Sequence, residues 1–139
     1  MLALRLVIDT NILVPAALKP ESLQRTTSLL AITKPSRLYV SAPILEEYAD
    51  VPSRPELGIR RGLRQQLLQL VKNHSYTVAP SRLDVANDPD DNMFVECADA
   101  ARADYLITGN QKHFPAYWKS TKIITSREVI SLAAPHLIR

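Results

Sequence analysis

The stretch that decides the fold is Leu4-Arg5-Leu6-Val7-Ile8, followed at once by Asp9-Thr10-Asn11. An apolar run broken by a single arginine suits a strand buried on both faces of a parallel sheet. The polar triplet offers side-chain acceptors that cap a helix, predicted over 12–18, with Pro15 loosening it after its first turn. A buried strand that runs straight into a capped helix is the first half of a βαβ unit.

The same alternation continues outward. Helical spacing predicts a helix over 21–32, then a short strand at 38–40. Ser41 and Pro43 supply helix-start chemistry for a helix to about residue 50. Over 59–74, Leu63, Leu67, Leu70 and Val71 form an apolar stripe, with Arg60, Arg61 and Arg64 off it. A strand is predicted at 76–79. Asp88-Pro89-Asp90-Asp91 opens another helix, on which Phe94, Cys97, Ala98 and Ala101 share a buried face. Strands follow at 105–108 and 122–125. Strands alternating with helices imply crossover connections, a mostly parallel central sheet and helices on both faces, a three-layer αβα architecture of the α/β class. In such sheets, sites gather at the carboxyl ends of strands.

The 139 residues, 46% apolar, fit one domain spanning 1–139 and leave no room for a second sizeable core. Ten prolines and three glycines are scattered without a period, which excludes repeat arrays and low-complexity linkers. The first apolar run is too short for a signal-peptide core, and no stretch is long enough to span a bilayer, so a soluble, cytoplasmic protein with no membrane partner is expected. Cys97, the single cysteine, sits among helix-spaced apolar residues and reads as core packing. The net charge of +3 favours a polyanion or an acidic partner without demanding either. With 14 acids still present, their clustering is more informative than the mild basic excess.

Asp9 follows the first strand directly, and Asn110 follows the strand at 105–108 after Gly109. Both fall at carboxyl ends. On a helix each residue turns by about 100°, which puts Glu47 on the border of the Ile44, Tyr48, Val51 face and Glu46 nearly opposite. The same counting sets Asp91 beside the Phe94, Ala98, Ala101 face, with Glu96 and Asp99 projecting away. Singly, each acid has an ordinary role: Asp9 as an N-cap, Glu47 as a solvated helix residue, Asp88 and Asp91 as a helix start. For Asp88 the cap is the preferred role, and Asp90 complements the helix dipole. Together, Asp9, Glu47 and Asp91 at one end of a sheet would repel one another unless a cation neutralised them or their pKa values rose. An oxygen-only ligand set selects hard cations, Mg²⁺ or Mn²⁺, with waters completing the shell and one of them activated. That is phosphodiester-hydrolysis machinery.

Five segments in this order, Val7-Ile8-Asp9-Thr10-Asn11, Val40-Ser41-Ala42-Pro43-Ile44-Leu45-Glu46-Glu47-Tyr48, Asp88-Pro89-Asp90-Asp91-Asn92, Leu106-Ile107-Thr108-Gly109-Asn110 and His113-Phe114, resemble the PIN-domain family, in particular small toxins related to the VapC nucleases. The resemblance spans nearly the whole chain. It implies a five-stranded parallel sheet, Mg²⁺- or Mn²⁺-dependent endoribonuclease action on single-stranded RNA, a homodimer and a cognate antitoxin. It makes Asp9, Glu47 and Asp91 the metal ligands and, with Asn110, the catalytic set. Thr10 or Asn11 would orient the first ligand, and both count with Thr108 as substrate contacts.

Asn110 departs from the Thr-Gly-Asp of many relatives and keeps an oxygen without the charge, so occupancy of a second metal position is in doubt. Arg54, Arg60, Arg61 and Arg64 are candidates for RNA phosphates, with an ordinary solvated face as the alternative. Lys112 and His113 follow Asn110 closely and either could touch substrate, but a lone loop histidine is more often structural or merely exposed. The alternative function is a non-cleaving PIN-fold protein that binds RNA or a partner. A doubly wound phosphotransfer or phosphatase domain with Asp9 as nucleophile would also place an aspartate after the first strand. It is disfavoured, because no second aspartate lies two residues on and Glu47 would be unexplained.

Overall fold

The structure is a computed structural model that describes residues 2–86 and 88–138. Residues 1, 87 and 139 of the expected span therefore lie outside it. Six strands form one sheet: β1 (Arg5–Ile8), β2 (Arg37–Val40), β3 (Ser75–Thr77), β4 (Tyr105–Ile107), β5 (Tyr117–Trp118) and β6 (Thr121–Ile124). Their order is β3-β2-β1-β4-β6-β5. The first five in that row are mutually parallel, and β5 pairs antiparallel with β6. Leu6, Val7 and Ile8 are each 0% exposed although successive strand residues face opposite sides, so both faces of β1 are covered. This is the α/β class expected.

The expected five strands are present, and β5 is added to them as a correction. The hairpin turns at Lys119-Ser120, with Lys119 in the left-handed region at φ 53. That pair is not one of the glycine- or asparagine-bearing turns that mark hairpins in sequence. The Lys119 ammonium sits 2.8 Å from the Asp99 carboxylate, and Trp118 Nε1 donates to the same carboxylate at 3.0 Å. The turn is thus held by a contact distant in sequence.

The helices are α1 (Thr10–Leu18), α2 (Leu23–Ala31), α3 (Ala42–Asp50), α4 (Arg61–His74), α5 (Asn92–Ala101) and α6 (Ser126–Ala133). Asp9 itself is the N-cap of α1, its carboxylate accepting from Asn11 N at 3.4 Å, so the helix starts two residues earlier than expected. Pro15 lies inside α1 without ending it. Helix α6 was not anticipated, although Thr125 and Glu128 form a complete capping box at its start. Helix α5 packs against β1, β2 and β4, while α1 packs on α2 and α4 and α2 on α6. Cys97 lies in the core, its thiol pushed up to about 12 by burial, in keeping with a packing role.

From β1 the chain winds outward to β2 and β3, then returns to the other side of β1 at β4 and continues to β6. Neighbouring β1 and β4 therefore send their connections in opposite directions, and open α/β sheets bind ligands at the carboxyl ends beside such a switch point. The register pairs Val7 with Leu106 and Ile8 with Ile107, and Asp9 N donates to Ile107 O at 2.9 Å. Asp9 and Thr108 emerge side by side from that point. No helix among the described residues is long and apolar enough to cross a membrane.

Candidate active site

Asp9 is 6% exposed. Its Oδ2 accepts from Thr108 Oγ1 at 2.8 Å, and its Oδ1 faces the α1 backbone. Burial raises its carboxyl pKa most, the Thr108 bond opposes that rise, and the charge of Asp91 adds to it. Glu47 leaves α3 on its border face and accepts from Thr10 Oγ1. Its pKa is raised first by burial, against the Thr10 bond, and further by Asp9 and Asp90, while Arg54 pulls it down. The next residue, Tyr48, is buried and donates its hydroxyl to Ile8 O, tying α3 to the strand end that carries Asp9. Glu46 is exposed, as the helix geometry requires.

Asp91 ends a 3-10 turn, Pro89–Asp91, that leads into α5. Asp88 caps this turn by accepting from Asp90 N at 3.0 Å. The Asp91 carboxyl is raised by burial first and by the Asp88 charge second, with His113 opposing. Its Oδ2 is buried without a hydrogen bond from the described residues. His113 Nδ1 lies 3.2 Å away, near enough for an ion pair but not aligned as a donor.

These residues line one open cleft of about 450 Å³. Asp9, Thr10, Asn11, Glu47, Arg54, Asp91 and Asn110 all contribute to its wall, as do Glu56, Asp88 and His113, none of which is among the expected metal ligands or catalytic residues. Thr108 stands behind Asp9, fully buried, as a brace. Arg60, Arg61 and Arg64 are not brought to the cleft. Gly58 turns the chain in the left-handed region after Leu57, Arg60 precedes α4, and Arg64 lines a separate crevice with Leu13 and Leu67. Glu96 is spent on Leu83 N at 2.7 Å, and Asp99 on the β5 hairpin.

A family model described as the PIN domain matches residues 5–112, from the first residue of β1 to the turn beyond Asn110. The chain belongs to the PIN-domain family. PIN domains are generally nucleases that use divalent metals. Every cleft acid of this PIN domain falls inside the matched span. A chain of the crystal structure of VapBC2 from Rickettsia felis, bound to a DNA fragment from their promoter, is similar with a TM-score of 0.57 and 18% identity. The similarity covers 87% of this chain and 98% of that one. No curated protein matches.

Among the described residues, no three His, Cys, Asp or Glu side chains of this PIN domain close into one direct ligand set. Mg²⁺, however, dehydrates reluctantly and is commonly held by one or two carboxylates with waters filling its octahedron. A wide acidic cleft, three carboxyls whose charged forms are disfavoured, and a buried Asp91 Oδ2 without a donor suit such a hydrated cation. Glu56, which the sequence reading missed, and His113, for which it favoured a structural role over a substrate contact, lie in short 3-10 turns whose side-chain directions sequence periodicity does not report.

Proposed function

We propose that the protein is a Mg²⁺- or Mn²⁺-dependent endoribonuclease that cleaves single-stranded RNA and serves as the toxin of a toxin–antitoxin pair. The observation that carries this reading is that Asp9, Glu47 and Asp91, from three separated segments, line one open cleft at the β1/β4 switch point of a PIN domain. These three carboxylates are the proposed metal ligands, and Asn110 completes the proposed catalytic set as a neutral oxygen donor. The bound cation supplies Lewis-acid polarisation of the phosphate and an activated water. The chain's own residues hold the geometry: Thr108 fixes Asp9, Thr10 fixes Glu47, and Arg54 at the cleft wall meets a phosphate. Thr10 and Asn11 flank the phosphate path, whereas Thr108, expected as a substrate contact, is fully buried behind Asp9 and serves as its brace instead. The similarity to a VapBC2 chain supports a cognate antitoxin as partner; a homodimer and a cytoplasmic location belong to the same proposal.

The test is cleavage of a labelled single-stranded RNA by purified protein. Mn²⁺ should support cleavage, chelator should stop it, and Asp9→Asn and Glu47→Gln should each abolish it while Glu46→Gln acts as wild type. Metal-independent cleavage, or full activity in Asp9→Asn, would overturn the proposal. The second reading, a PIN-fold protein that binds RNA or a partner without cleaving, is favoured by the neutral Asn110. It predicts RNA binding with no turnover at any metal concentration.

A further inference from the structure

A continuous polar chain joins Asp9 to Asp91. Thr108 Oγ1 donates to Asp9 Oδ2 at 2.8 Å and accepts from Asn110 N at 3.0 Å. The Asn110 amide lies against the His113 ring, with its Nδ2 3.0 Å from Nε2 and 3.3 Å from Nδ1. The ring then reaches Asp91 Oδ2 at 3.2 Å. The turn that carries the histidine is fixed at both ends: His113 N donates to Asn110 O at 3.1 Å, and the next residue, Phe114, is buried. The ring stays half exposed, with 48% of its side chain accessible against 16% for Asp91, so it stands on the cleft side of the carboxylate.

Asp9 and Asp91 repel each other, and Asp91 also feels Asp88. Like charges brought near one another keep their positions when each side chain is held by its own neighbours. Carboxylates that hold metals are themselves held by outer donors, and the loss of such a donor typically costs about 10–100-fold in metal affinity. Thr108 is that donor for Asp9, whereas Asp91 Oδ2 has His113 Nδ1 at 3.2 Å and, among the described residues, no aligned donor. We infer that His113 is a positioning residue for Asp91: together with Asn110 it braces the Asp91 carboxylate for a hydrated divalent cation. This inference rests on the metal-dependent reading above.

The experiment follows the imidazole NMR signals of His113, one of only three histidines, and Mn²⁺ affinity by calorimetry, both on the full chain. In metal-free protein, Asp91→Asn should shift the His113 signals, and Mg²⁺ titration should shift them in wild type but not in Asp91→Asn. His113→Ala should weaken Mn²⁺ binding about 10-fold at unchanged folding, and His113→Gln, which keeps a donor, should recover most of it. If His113 signals ignore Asp91→Asn without metal, the contact is absent and the inference falls whatever the metal does. If they respond but wild type takes up no Mn²⁺, the metal reading fails and takes the inference with it. Wild-type Mn²⁺ affinity in His113→Ala overturns the inference alone.

Discussion

Thr108 Oγ1 and Asp9 Oδ2 meet at 2.8 Å across 99 positions of sequence, joining the ends of two adjacent parallel strands through one buried bond. Thr108 is fully buried, so its hydroxyl has no water to replace that acceptor. Thr108→Val keeps the shape and removes the donor. The variant should lose about 1–2 kcal/mol of stability in denaturant unfolding and bind Mn²⁺ more weakly. Unchanged stability and affinity would show the bond to be incidental.

Burial is the largest influence on Asp9, Glu47 and Asp91, and it raises all three above the ordinary carboxyl range. A carboxyl with a raised folded pKa makes the folded state hold more protons than the unfolded chain between the two values, so stability falls as pH rises through that window. Asp99 is lowered, by Lys119 first, and its contribution is lost only as pH falls through its depressed value. In chelator, wild type should therefore lose Tm as pH rises from the ordinary carboxyl value, about 4, through the raised folded values. Asp9→Asn, which still caps α1 as asparagine does, should flatten that slope and melt a few degrees higher at neutral pH. Mn²⁺ should raise Tm in wild type alone. A variant that melts lower in chelator at neutral pH would show that hydrogen bonding outweighs burial at Asp9.

Asn110→Asp adds a carboxylate to the cleft wall. Where too few carboxylates limit metal occupancy, the change should raise Mn²⁺ affinity, about tenfold for each 1.4 kcal/mol gained, and increase cleavage at low metal. Saturating metal should narrow the difference. Wild-type affinity with slower cleavage throughout would mean that the neutral amide serves substrate or water instead.

Arg54 is the arginine that lines the acidic cleft, and its ion pair with Asp50 at 3.2 Å is exposed and easily exchanged for a phosphate. Arg54→Gln should lower RNA affinity and reduce the salt slope by about 0.7, the value for one phosphate contact on a single strand. Replacing Arg60, Arg61 and Arg64 together should change the slope less. The reverse order would move the RNA path onto α4.

The strand at Leu6, Val7 and Ile8, the cap at Asp9 and the border position of Glu47 were legible because each is written in local periodicity. Asp88 as a cap was legible for the same reason. Hairpin β5 was not, since Lys119 adopts its left-handed backbone for Asp99, a partner twenty positions back in the chain. The arginines show the complementary failure. Helical counting separated Arg60, Arg61 and Arg64 from the leucine stripe but does not report that, beyond the left-handed turn at Gly58, they stand off the cleft that Arg54 lines. His113 read as a bare loop histidine because its partners come from the end of β4 and the start of α5, which sequence spacing does not bring together.

The sheet ends in β3, with three residues, and in β5, with two. A row of backbone amides that short gives an incoming strand almost nothing to zip against, and short edges are one way natural sheets avoid sticking to each other. Strand-to-strand polymerisation is thereby discouraged at both margins. A protein that docks here has to read side chains and helix faces, so its recognition can be abolished by surface substitutions that leave every ladder bond of the sheet intact.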